Sequence, residues 1–323
     1  MRRRSEDSLL RNLRRTLARR GVDRLGDDAA ILSGGPTSWA VTVDQQIEGV
    51  HFTAGTPPKV WARRLVAVCL SDVAAMGGRP THAFLALQAT PTLDVAAVLE
   101  AVADECARSD VELAGGDLAS DSRCGGSLTV MARPVAGGRW LRRSAARPGD
   151  TLWLGGPVGW SRLGRELSGS AAIERLPAAQ RRDGRRARRI HREPTPQLAL
   201  GQALARRRRC AAIDVSDGLA LDLARLCRES GVGAVVEREA LPCPPEALAR
   251  ALGLDRLDCA LHGGEDYVLL FTLAPGVRSS PEAGPVRIGT ITDGGGLVLA
   301  TGGHTRALPA RGWDHLSSGT SGG

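Results

Sequence analysis

Apolar and polar positions change period repeatedly along this chain, and the changes mark its elements. The opening "SEDSLLRNLRRTLARRG" spaces its leucines as a short amphipathic helix with no signal-peptide core. "SWAVTVD" (38–44) is a strand ending in an acid. "PPKVWARRLVAVCLSDVAAMGG" (57–78) has helical spacing and a Gly-Gly stop. A strand over 82–89 and a helix over 93–109 follow, then strands over 111–117 and 127–135. "RSAARPGDTLWLGGPVG" (143–159) turns at "RPGD" and enters a strand, which opens a second unit. Residues 177–192 are polar and arginine-rich and read as a surface segment. A helix over 195–207, a strand–turn–helix over 211–230, and strands over 233–238, 267–273 and 286–291 complete the pattern. Strands alternating with helices predict the α/β (α+β) class in two domains, residues 1–145 and 146–316, with a disordered tail over 317–323.

Acids sit where these apolar runs end. Asp27 and Asp28 share "RLGDDAAIL"; Asp44 ends "VTVD"; Asp72 lies in "CLSDVAAMGG"; Asp117 follows two glycines in "LAGGD". Asp214 and Asp217 flank Val215 and Ser216 in "IDVSDG", and Glu265 and Asp266 follow two glycines in "HGGEDY". One acid beside a glycine is an ordinary turn or cap. A set of them converging at strand ends, where α/β folds bind ligands, is untenable without cations. Hard divalent ions take oxygen ligands and accompany phosphates, so the set points to a multi-metal site for phosphoryl transfer. No Gly-x-x-x-x-Gly-Lys-Ser/Thr loop, kinase His-Arg-Asp motif or Gly-x-Ser-x-Gly elbow is present, so metals, backbone amides and arginines such as Arg143 must neutralise phosphate.

Composition narrows the alternatives. The 323 residues are 42% hydrophobic, enough for two cores, and carry a net charge of +8. The positive charge is nearly all arginine, Lys59 being the one lysine, and aromatics are only 3%, which leaves little for nucleic-acid bases to stack on. A nucleic-acid-binding reading also leaves the recurrent acids unexplained, since they repel phosphate. Seven scattered cysteines with no Cys-x-x-Cys pair predict a reducing, cytoplasmic compartment, and no run approaches a membrane span.

The segments "GDDAAIL", "VTVDQQIEGVHF", "CLSDVAAMGGRP", "LAGGD", "RSAARPGD", "REPTPQLALGQAL", "IDVSDGLALDL" and "LHGGEDYVLLFT" come in the order seen in the thiamine-monophosphate kinase family. The resemblance covers roughly residues 24–291 and continues weakly to "RGWDHL". "EGVHF" with "GGEDY" separates that family from the aminoimidazole-ribonucleotide synthetases, selenophosphate synthetases and hydrogenase-maturation dehydratases, which share its fold.

The resemblance implies a two-domain aminoimidazole-ribonucleotide-synthetase-like fold whose N-terminal domains pair as a β-barrel in a homodimer. It implies direct in-line transfer of the ATP γ-phosphate to thiamine monophosphate, the last step of thiamine diphosphate synthesis, assisted by several Mg²⁺ ions. By motif, Asp28, Thr42, the Val43 carbonyl, Asp44, Asp72, Asp117, Asp214 and Asp217 take the metal positions, with Asp27 behind Asp28. Asp44, Asp72 and Asp117 take the catalytic positions. Gly116, Asp117, Arg143 and Ser216 take the ATP positions, and His51, Glu265 and Trp313 those of thiamine monophosphate. The chain departs from the family pattern at Val43, where a hydroxyl is usual, at Arg24 and Leu25, and at Val268; none of these removes a carboxylate. The competing expectations are another ATP-dependent enzyme of the same superfamily acting on a different small phosphorylated substrate, and an inactive nucleotide-binding regulator.

Overall fold

The structure is a computed structural model that describes residues 5–21, 25–34, 37–169, 171–277 and 284–314. Arg24 and the tail expected to be disordered lie outside the described residues.

The first unit is a five-stranded sheet, β1 (Ala30–Gly34), β2 (Thr37–Ile47), β3 (Gly78–Ala89), β4 (Glu112–Ser120) and β5 (Gly125–Pro134), in the order β1-β2-β5-β3-β4. All pairings are antiparallel except β3 with β4. Period-two alternation along β3 buries Ala83, Leu85 and Leu87 under two helices, α2 (Pro58–Ala75) and α3 (Val95–Ala107). The opposite face of the sheet leaves Val43 and Phe84 exposed, and Leu118 is exposed on β4 at the sheet edge. On β4, Gly116 is required by a close approach: a Cβ there would lie 1.9 Å from the Leu85 carbonyl oxygen.

The second unit is a seven-stranded sheet. Its strands are β6 (Thr151–Leu154), β7 (Ala212–Asp214), β8 (Gly233–Glu237), β9 (Leu269–Leu273), β10 (Val286–Thr292), β11 (Leu297–Thr301) and β12 (His304–Ala307), in the order β12-β11-β8-β10-β6-β9-β7. Helix α7 (Leu219–Ser230) buries Leu219, Leu223 and Leu226 against it.

Two departures from the sequence reading have physical causes. The polar segment at 177–192 contains a true helix, α5 (Arg181–Arg192). Its buried stripe is Gly184, Ala187 and His191, small or polar residues that give no apolar signal. They let α5 approach α4 (Trp160–Glu166) so closely that a Cβ on Gly164 would lie 2.2 Å from the Ala187 carbonyl. Strand β1 went unread because only Ala30–Leu32 precede its Ser-Gly end. Strand β4 runs to Ser120, beyond the expected end at 117.

Helix α2 joins the units. It buries residues on all sides, Arg64 and Ser71 among them. One flank lies on the first sheet; the other meets α6 (Leu198–Ala205), β7 and α5 of the second unit. Helix α1 (Glu6–Ala18) buries none of its residues and is held at the surface by ion pairs, Arg14 to Glu229 at 2.5 Å and Asp7 to Arg228 at 3.2 Å.

Candidate active site

The doublet at 27–28 is resolved by a second doublet, Arg142–Arg143. Asp27 accepts from the Arg142 guanidinium at 2.7 Å and from the Arg143 backbone N–H at 2.9 Å. Asp28 accepts from Nε and Nη2 of Arg143 at 3.2 and 2.6 Å, a two-pronged pair. Asp27 therefore holds the backbone that aims Arg143, and Asp28 faces inward beside it. The guanidinium is strongly favoured in its charged form by Asp28, which outweighs the opposing effect of its burial.

Asp28, Asp72 and Asp214 come from the β1 approach, α2 and the end of β7, and carboxylate oxygens of all three lie within 4.8 Å of one another. Burial, together with Asp44, Asp214 and Asp28, pushes the Asp72 carboxyl well above the usual range; Asp214 is raised by burial and Asp28. Thr42 donates its hydroxyl to Asp72, and Ser71 donates to Asp214 at 2.6 Å. Two O–H donors do not neutralise so many anions. Gln46, 2% exposed, also leaves its Oε1 without a hydrogen-bond partner among the described residues. Crowded oxygen donors and an orphaned buried acceptor fit a hard divalent cation.

Two cavities flank this cluster and share Glu6, Asp72, Asp214, Ser216 and Asp217. One, about 220 Å³, is lined by Asp44, His51, Arg165, Glu265 and Trp313. The other, about 300 Å³, is lined by Asp27, Asp28 and five arginines, 11, 14, 143, 225 and 228. The first, with one arginine among its acids, suits a cationic ring; the second, whose five arginines are each paired to a carboxylate, suits phosphates once cations offset its acids.

The "DVSDG" turn is built by Asp222, whose role the sequence reading missed. One carboxylate oxygen accepts the N–H groups of Ser216, Asp217 and Gly218 at 3.0–3.1 Å, and the other accepts from Arg225 at 2.8 Å. The second acid doublet divides as the first does. Asp266 turns away to accept the N–H groups of Gly159 and Ser161 at the start of α4, at 2.7 and 3.2 Å, and burial raises its carboxyl to about 7. Glu265 turns into the first cavity from a left-handed backbone, φ 58°, with Tyr267 at 51°. Such strain persists only where surroundings enforce it. The Trp313 backbone N–H donates to the Asp217 carbonyl at 2.9 Å, and the Arg165 guanidinium lies 5.6 Å from the Trp313 ring centre.

Of the expected residues, Asp28, Thr42, Asp44, His51, Asp72, Arg143, Asp214, Ser216, Asp217, Glu265 and Trp313 thus line the two cavities or bond to a residue that does. Gly116, Asp117 and the Val43 side chain do not. Gly116 lies three strands across the sheet from Asp44, about 14 Å at normal strand spacing, through the register Asp44–Leu128–Leu85–Gly116. Val43 points to the outer face and is 62% exposed. Besides Asp222, the sequence reading passed over Arg64, Ser71 and Arg165; polar residues inside the apolar run "WARRLVAVCLSDVAA" were the available signal for the first two.

Comparison with known proteins shows the family and the fold. The AIR synthase related protein N-terminal domain model matches residues 26–133, and the C-terminal domain model matches 147–301. A thiamine-monophosphate kinase of Escherichia coli K12 is 33% identical over 308 residues, 91% of this chain and 92% of that one. One of Synechococcus elongatus is 38% identical over 267 residues, 79% of this chain and 78% of that one. A crystal structure described as AaThiL complexed with AMPPCP and TMP superposes with a TM-score of 0.85 at 28% identity, covering 96% of this chain and 97% of that one. The chain belongs to the thiamine-monophosphate kinase family, within the AIR-synthase-related fold.

Proposed function

We propose that this enzyme transfers the γ-phosphoryl group of ATP to thiamine monophosphate. One observation carries the reading: a buried carboxylate cluster drawn from both units lies between an acidic, Trp-bearing chamber and an arginine-lined one. The names of the relatives and the ligands in the related crystal structure support it.

In this reading the thiamine rings occupy the chamber of His51, Glu265 and Trp313, and the ATP phosphates occupy that of Arg143 and the Ser216 turn. Both reacting phosphates then meet at Asp72 and Asp214. A phosphate oxygen of thiamine monophosphate attacks the γ-phosphorus in line, the bond to the β–γ bridging oxygen breaks, and ADP leaves. The attacking oxygen is already ionised at neutral pH, so no strong base is needed. The protein's work is positioning and charge compensation. Asp28, Asp44, Asp72 and Asp214 would hold divalent cations such as Mg²⁺, which screen the repulsion between the two anions. Asp117 and the exposed face bearing Val43 and Phe84 belong to the part of the first sheet that a homodimer would cover.

The test is ADP release with Mg²⁺–ATP, with and without thiamine monophosphate, and chromatographic identification of the product. Acceptor-dependent ADP with thiamine diphosphate is expected. ADP without that dependence would reassign the acceptor, and no ADP in either case would overturn the kinase reading.

A further inference from the structure

The assigned site leaves one buried cation unexplained. Arg64, on α2 of the first unit, has a side chain only 2% exposed. It stands eight residues, two helical turns, before Asp72, on the stripe Arg64–Val68–Asp72 that faces the second unit. Its terminal nitrogens go to two groups of that unit, the Glu265 carboxylate and the His191 carbonyl. Its Nε–H has no hydrogen-bond partner among the described residues. A buried ion pair with an unsatisfied donor adds little to stability, and a well-packed apolar side chain would serve the fold as well. The arginine therefore needs another reason.

We propose that Arg64 is a positioning residue that fixes the Glu265 carboxylate as the anionic contact for the nitrogen-bearing rings of the acceptor substrate. The proposal rests on the substrate chamber assigned above. Three groups from three helices face Glu265: Arg64 from α2, His191 from α5 and Arg165 from α4. Asp266 and Tyr267 adjoin it on its own loop. His191 is neutral, its imidazole lowered to about 3 by burial and by Arg64. Its Nδ1 receives the Ser161 hydroxyl at 3.0 Å and faces Arg64, so its 3.7 Å approach to Glu265 is not an ion pair. Arg165 lies against Trp313 as well. Arg64 is thus the cation bonded to Glu265 itself. It holds the carboxyl below its usual range, against the burial that would raise it, and keeps a residue with left-handed backbone aimed into the cavity. Because the arginine belongs to the other unit, the contact is complete only when the units are docked.

The experiment compares E265Q, R64M, R64K and R64M/E265Q by steady-state kinetics from pH 6 to 8.5, with melting curves to confirm folding. E265Q is expected to raise the KM for thiamine monophosphate about tenfold and to leave that for ATP unchanged. R64M should match it, and the double variant should be no worse than E265Q alone. The R64M defect should be largest at pH 6 and shrink toward pH 8.5, because a buried carboxyl without its cation holds a proton at the lower pH. R64K should recover part of the loss. Multiplying single effects, or an R64M defect equal for both substrates and independent of pH, would overturn the proposal. An E265Q enzyme with unchanged KM would instead remove Glu265 from the substrate site. Should R64M not fold, the cycle R64K, E265Q and R64K/E265Q reads the same coupling.

Discussion

At the residue scale, neighbouring polar residues divide their work. Asp27 fixes a backbone while Asp28 pairs with the Arg143 guanidinium; Asp266 caps α4 while Glu265 faces the first cavity. In both doublets the two carboxylates take different partners, and Glu265 does so from a left-handed backbone. Burial then decides protonation. His191 shows the consequence for stability. Its native pKa of about 3 lies below its unfolded value of about 6.5. Between those values the unfolded chain holds a proton that the native protein does not. The contribution is therefore fully present above about pH 6.5 and is lost as pH falls toward 3, with a slope of at most ~1.4 kcal/mol per pH unit. Urea midpoints at pH 7.5 and 4.5 should show a flatter dependence in H191Q than in the parent. Parallel slopes would mean that His191 is not the group responsible.

At the element scale, α2 organises the molecule. Its period-3.6 apolar pattern was legible, and so was its end near Gly77 and Gly78. Its burial on both flanks was not, because a helix between two units and a helix under one sheet give similar sequences. The contact with α6 depends on Gly201, where a Cβ would stand 2.0 Å from the Ala74 carbonyl. G201A is expected to cost about 2 kcal/mol or more by denaturant unfolding, since backbone on both sides must shift. It should also lower turnover, because α2 carries Asp72. G295A, where an added Cβ meets nothing within 4 Å, is the control and should change stability by less than ~0.5 kcal/mol. Equal costs would place the tight α2–α6 approach in doubt.

At the scale of the whole molecule, the carboxylates at the seam oppose docking until something compensates them. Divalent cation should therefore bind the docked form more tightly than the unfolded chain and raise the melting temperature. Added Mg²⁺ should raise it by several degrees and excess chelator should reverse the rise. D72N should melt at or above the parent without metal, since one buried charge is removed. It should also lose most of the Mg²⁺ response and at least ~100-fold in turnover. A full Mg²⁺ response in folded D72N would remove Asp72 from the cation site. The positive charge of the chain is also clarified at this scale. Five arginines line the second cavity, and Arg64 and Arg209 are bonded to Glu265 and Asp150. Among the described helices none is long and apolar enough to cross a membrane, and all seven cysteines are free.

The sequence by itself determined many of the elements, the two-unit organisation and the acid-rich motifs, because period, turn chemistry and residue type are local properties carried along the chain; β1 and α5 lacked such a local signal. It also raised the expectation of cations, since a set of buried carboxylates is unstable without compensation. Only the tertiary structure decided which acids meet. It joined Asp28, Asp72 and Asp214 from three elements, turned Asp266 and Asp222 to backbone support, and left Asp117 on the edge strand. It also brought Arg64 to Glu265 across 201 residues of chain. Side-chain direction and cross-unit proximity depend on how sheets and helices pack, and that packing is set by cores far from the residues that use it.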